Sequence, residues 1–192
     1  GDGENLLNDF INAYKEVRNA DRETKLKALA QVPGIYVPSL YEVEYKALDG
    51  AIKSIKPISS DIPAEVKKQT YRGNTLSAST VVTEKAAWEN IFMVEVVRSC
   101  PEMCRFCLAS YLTLPFRTAS LNDSLIPAIE KGLQVTNRLG LLGASVTQHP
   151  EFETLLEYIN QPKYEDVRLS IASVRTNTVT EELAKTLSQR GT

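Results

Sequence analysis

The stretch Ser99-Cys100-Pro101-Glu102-Met103-Cys104-Arg105-Phe106-Cys107 constrains this chain most, because it holds all 3 cysteines at the spacing C-x₃-C-x₂-C. An apolar, largely β-branched run, Ile91-Phe92-Met93-Val94-Glu95-Val96-Val97, comes immediately before it. Such a run reads as a buried strand, and that strand delivers three thiols onto one loop. Soft donors clustered in this way form a metal-ligand set. Their odd number and tight spacing exclude a disulfide framework, which points to a reducing, cytoplasmic compartment.

At 192 residues the chain is long enough for one domain with a core, or for a small domain and part of another. Its composition, 24% charged and 43% hydrophobic, is ordinary for a soluble globular protein. A net charge of −2 gives no basis for a nucleic-acid-binding surface. No apolar run approaches the roughly 20 residues needed to cross a bilayer, and no signal peptide is visible, so no membrane partner is expected. The chain opens on Gly1 and closes on Gln189-Arg190-Gly191-Thr192, and it reads as an excised piece of a longer protein.

Leu6, Leu7, Phe10, Ile11, Tyr14 and Val17 recur at helical spacing and predict an amphipathic helix over 5–18. Asp21 is the expected N-cap of a second helix, with Leu26, Leu29 and Ala30 inward, and Val32-Pro33-Gly34 ends it. Tyr41, Val43, Tyr45 and Ala47 alternate with charged residues, Leu48-Asp49-Gly50-Ala51 turns the chain, and 52–57 returns, which predicts a β-hairpin. Tyr36, Tyr41 and Tyr45 are expected in its core. Residues 57–80 read as an extended connection that admits a short helix near 62–68. Trp88, the lone tryptophan, is expected as a packing anchor.

Beyond 91–97, a helix is expected from Ser120 to about Asn137, a strand from Arg138 into the Gly143 turn, and a helix through Phe152–Ile159. A strand through Val167, Leu169 and Ile171 follows, then a helix over 181–190 capped by Thr180. Three β-loop-α units in succession imply a parallel sheet with right-handed crossovers. Ligands of such sheets bind at the carboxyl ends of the strands. The cysteines, the Gly143 turn and the loop Ser173–Asn177 all fall there.

Iron–sulfur clusters usually take four thiolates; three leave one iron open to a small molecule. Cys100-x₃-Cys104-x-Phe106-Cys107 matches the signature of the radical S-adenosylmethionine (SAM) superfamily, including the aromatic before the last cysteine. Gly1-Asp2-Gly3-Glu4 resembles the turn that ends the cobalamin-binding-like domain of one type in that superfamily. Val32-Pro33-Gly34-Ile35-Tyr36-Val37-Pro38-Ser39 resembles the inter-domain connection of the same type, and the resemblance points to a cyanobacterial branch. It implies an α/β chain in which a helical and β-hairpin connector, 1–90, precedes the N-terminal half of a (β/α)₆-type barrel, 91–192. It further implies that Cys100, Cys104 and Cys107 hold a 4Fe–4S cluster whose open iron binds S-adenosylmethionine. Reductive cleavage of that molecule then starts radical chemistry on an unknown substrate, with electrons from a donor protein or reductant. Cobalamin is left open as a cofactor of the full-length protein. Phe106 is implied near the adenine. The family carries a Gly-Gly-Glu-like turn where this chain has Gly143-Ala144-Ser145, so Gly143 and Ser145 keep the backbone approach without the acidic residue. Ser173 and Arg175 are implied as further cofactor contacts, with Arg175 suited to a carboxylate.

The alternative is a non-catalytic module that binds zinc or a partner. His149 is the lone histidine, and a Cys₃His zinc site is chemically reasonable. However, a histidine before Pro150 at a helix start reads as exposed or capping rather than as a ligand. Arg105, Arg117 and Arg138 read as surface or salt-bridge residues. The third strand is expected to be an open edge through which the piece self-associates.

Overall fold

Two helices and a hairpin form the first unit of the chain, Gly1–Tyr71. The computed structural model describes residues 1–191. Helix α1 (Leu6–Val17) has the expected apolar spacing but buries no residue, and Leu7, Ile11 and Tyr14 are exposed. Helix α2 (Arg22–Ala30) starts as predicted, with the Asp21 carboxylate accepting from the Thr24 N–H at 3.0 Å. Strands β1 (Tyr41–Tyr45) and β2 (Ile52–Pro57) pair antiparallel, with an irregularity between Glu44 and Tyr45. The small core of this unit gathers Ala30, Val37, Leu40, Tyr41 and Ile62.

Of the three tyrosines expected in the hairpin core, only Tyr41 is buried, and its hydroxyl donates to the Pro63 carbonyl at 2.8 Å. Tyr36 lies against it, ring centres 4.9 Å apart, with its outer side in solvent, and Tyr45 is exposed. A two-stranded ribbon has no second layer to cover its distal half. No helix forms over 62–68; Ile62 buries and the following chain stays extended.

The second unit begins at Arg72. Its elements are β3 (Phe92–Glu95), β4 (Val97–Arg98), α3 (Leu108–Thr113), β5 (Arg117–Thr118), α4 (Ile126–Leu133), β6 (Arg138–Leu142), α5 (Phe152–Ile159), β7 (Arg168–Ile171) and α6 (Glu181–Arg190). This is a mixed α/β unit. Its centre is a three-stranded parallel sheet in the order β3-β6-β7, with Phe92 opposite Leu139 and Leu139 opposite Leu169. The described strands form an open sheet, not a closed barrel. Phe92, Val94, Leu139, Leu141 and Leu169 share one core with Ile129 of α4, Leu155 and Leu156 of α5 and Leu183 of α6. The helices therefore cover one face of the sheet. The other face, through Met93, Glu95, Leu142 and Ser170, is only half-buried.

Local signals hold here. Thr180 caps α6 by accepting from the Leu183 N–H at 3.2 Å, and Ser120 accepts from the Asp123 N–H at 3.2 Å. The helix expected to reach Asn137 begins as a wide π turn, Leu121–Leu125, and ends at Leu133, which leaves Val135 exposed. Trp88 packs against little. It is exposed and borders a cavity of about 340 Å³ over the open sheet face with Met93, Gly140 and Ser170.

Residues 77–79, read from the sequence as part of the connection, pair with the outer edge of β3. The Ser79 N–H donates to the Met93 carbonyl at 2.9 Å, and the Glu95 N–H donates to the Ser77 carbonyl at 2.8 Å. That edge is thus satisfied. The far edge of β7 meets one parallel bridge, Leu169 with Gly191. No helix among the described residues is long and apolar enough to cross a membrane.

Helix α4 packs on β3 through Gly132, where an added Cβ would lie 2.2 Å from the Phe92 ring. Phe92 is buried in the core and cannot retreat. Gly132→Ala is therefore expected to destabilise the chain by about 1–3 kcal/mol, read as a lower denaturant midpoint. Gly3→Ala, which meets nothing within 4 Å, is the control and leaves the midpoint in place.

Candidate functional site

The chain leaves the parallel sheet at Val96. The Val96 N–H still donates to Leu142 O at 2.8 Å, while Val96 O already accepts from the Ala119 N–H at 3.0 Å. Strand β4 then pairs antiparallel with β5, Val97 opposite Thr118 and Arg98 opposite Arg117. The arc between these strands carries the cysteine loop and α3. At its base Ser99 is buried at φ +70°, and its hydroxyl donates to Ser110 O at 3.2 Å. Met103 has φ +48°, and its carbonyl accepts from the Tyr111 hydroxyl at 3.0 Å. The Cys107 N–H donates to Cys104 O at 3.0 Å, and α3 starts directly after Cys107.

Cys100, Cys104 and Cys107 are free thiols, each partly buried, on this one arc at the carboxyl end of β3. As a donor set they suit a soft metal. They are not gathered around a common point: among the described residues, no three His, Cys, Asp or Glu side chains come together to hold a metal ion.

The other expected residues divide between two places. Gly143 (φ +157°) presses on the start of the arc, where an added Cβ would lie 2.4 Å from Val97 Cγ2 and 2.8 Å from the Val97 carbonyl oxygen. Ser145 is 1% exposed, and its hydroxyl oxygen has no partner. Ser173 is exposed, and its carbonyl accepts from the Val146 N–H at 3.1 Å. Arg175 comes to the cysteine arc: its Nη1 lies 3.3 Å from Glu102 Oε2, and its Nε donates to Asn177 Oδ1 at 3.2 Å. Phe106 is 92% exposed. His149 is buried with both ring nitrogens engaged, Nε2 with Ala119 O at 2.7 Å and Nδ1 accepting from the Glu151 N–H at 3.0 Å. It caps a turn and has no lone pair left for a metal.

A cavity of about 500 Å³ opens beside the arc on the sheet face opposite α4, α5 and α6, lined by Ser77, Met93, Glu95, Arg98, Thr113 and Gly143 among others. Glu95 and Arg98 form a bidentate pair across its wall, Nε to Oε1 at 2.7 Å and Nη2 to Oε2 at 2.6 Å. The Ser77 N–H adds a third bond to Glu95 Oε2 at 3.1 Å. Burial works against ionisation of Glu95, but the bonds from Arg98 and Ser77 outweigh it and hold the carboxyl below its ordinary value of 4.5. The sequence reading passed over this pair. The available signal was a lone carboxylate in an apolar strand with an arginine three residues on.

No family model matches the chain, and no solved structure matches it. The chain is similar to an uncharacterized protein of Methanocaldococcus jannaschii, 31% identical over 110 residues, a match that takes in 56% of this chain and 24% of that protein. The chain thus spans well under two thirds of the length of the relative it matches.

Because the folded carboxyl of Glu95 is held below its unfolded value, its contribution is present above 4.5 and is lost below it, as the pH falls through the lower folded value. At neutral pH Glu95→Gln is expected to cost about 1.5–3 kcal/mol. The gap from wild type should close in thermal unfolding followed down to acid pH.

Proposed function

We propose that this chain is part of a radical SAM enzyme, with residues 91–192 as the first half of a (β/α)₆-type barrel behind a connector. Cys100, Cys104 and Cys107 are the ligands of an iron–sulfur cluster. The observation that carries this reading is the coincidence of three free thiols, the Gly143 turn and the Arg175 loop at the carboxyl ends of three parallel strands, beside a cavity of about 500 Å³. A cluster with one open iron, when bound, supplies the electron that cleaves S-adenosylmethionine and begins radical chemistry on substrate.

The chain's own residues have separable tasks in this reading. The β4–β5 ribbon and the buried Ser99 fix where the cysteine arc begins, and Gly143 lets the β6 turn close against Val97. Arg175 supplies guanidinium donors suited to a carboxylate, Ser145 and Ser173 supply polar groups on the neighbouring loops, and Phe106 offers an uncovered ring to a flat ligand. A separate electron donor and an unknown substrate complete the scheme, with cobalamin as a further cofactor if an upstream domain binds it.

Anaerobic reconstitution tests this directly. Wild type is expected to take up about four iron and four acid-labile sulfide per chain, Cys104→Ala to lose them, and the electron paramagnetic resonance spectrum of the reduced protein to change on adding S-adenosylmethionine. Stoichiometric zinc with no response to S-adenosylmethionine would replace this reading with a structural metal module.

A further inference from the structure

Glu102 sits between the first two cysteines and joins two other loops at once. Its Oε1 accepts from Gln148 Nε2 at 2.5 Å, and its Oε2 faces Arg175 Nη1 at 3.3 Å. Gln148 belongs to the turn after β6, and Arg175 to the loop after β7. Those loops are knitted to each other by the Val146 N–H on Ser173 O at 3.1 Å and by the Thr147 and Thr178 hydroxyls 2.5 Å apart. The contacts of Tyr111 with Met103, Cys107 with Cys104 and Ser99 with Ser110 lie within the arc itself.

We propose that Glu102 is the positioning residue of the cysteine loop, a charged tie that sets the three thiols in register against the loops following β6 and β7. One oxygen of the carboxylate accepts a hydrogen bond from Gln148 and the other faces the Arg175 guanidinium as an ion pair, so the loop is tied toward two different strand ends. Both side chains of the Glu102–Arg175 pair are about one-third exposed, 32% and 33%. The pair therefore contributes to local placement far more than to global stability. Gln148 Oε1 is buried without a partner, so this amide can turn over and accept from a cation placed at 102. The consequence for cofactor retention rests on the cluster reading above; the tie itself does not.

The test uses the reduced, metal-free chain at one pH. Iodoacetamide modification of Cys100, Cys104 and Cys107 is followed by mass spectrometry in Glu102→Arg, Arg175→Glu and the doubly swapped variant. Both single variants are expected to react about three- to fivefold faster at Cys104, near the upper end of what a partly exposed ion pair contributes. The swap is expected to return the rate to within about twofold of wild type, with the thermal midpoint unchanged throughout. A purely electrostatic effect on the thiol would move the two single variants in opposite directions, since one adds positive charge and the other negative, and that result would overturn the proposal. So would single variants that react like wild type, or a swap as fast as either. After reconstitution, the single variants are expected to lose iron to a chelator faster than wild type and the swap to regain retention; equal retention would remove the cofactor role. A wild type that takes up no iron would sink the cluster reading alone, and alkylation would still decide the tie.

Discussion

Where β3 stops pairing with β6, the chain must turn out of the sheet, and the Glu95–Arg98 pair fixes how it does so. Glu95 is the last residue of the parallel strand, and Arg98 is the last before the buried Ser99 and the cysteines. Their bidentate contact spans the change of direction at Val96. Ser77 joins the same carboxylate, so the segment that seals the β3 edge is anchored at the same point. The pair thus stands both in the cavity wall and at the start of the cysteine arc. A charged pair this well satisfied in a half-buried wall gives geometry rather than surplus stability.

The parallel sheet makes the rest of the site possible. Loops at the carboxyl ends of adjacent parallel strands necessarily meet, since the strands all point one way. Here the loops after β6 and β7 are sewn together by backbone and hydroxyl contacts, and Glu102 brings the cysteine arc to them. Residues far apart in the chain thereby share one surface.

The features legible in the sequence were those set by local chemistry. Asp21 and Thr180 cap their helices because an N-cap needs only a side-chain oxygen within three residues of an orphan N–H. The three strands of the sheet were legible: Phe92–Glu95 and Arg138–Leu142 lie in short, mostly apolar runs, and Arg168–Ile171 in the alternation of Val167, Leu169 and Ile171. What the sequence did not disclose depends on long-range pairing. Ser77–Ser79 carries no strand pattern and acquires its role only by meeting the β3 edge. Nothing local marks Glu102, whose partners Gln148 and Arg175 come from the loops after β6 and β7. Trp88 and Tyr45 misled because aromatic content marks burial only where a second layer exists to supply it.

In the proposed cluster, three thiolates leave one metal position open. Mössbauer spectroscopy of the chain reconstituted with isotopically enriched iron, with and without S-adenosylmethionine, tests that most directly. The account predicts that about a quarter of the iron signal forms a distinct site and that this site alone shifts when S-adenosylmethionine is added. Iron sites that are all alike and indifferent to S-adenosylmethionine, or a chain that binds no iron, would contradict it.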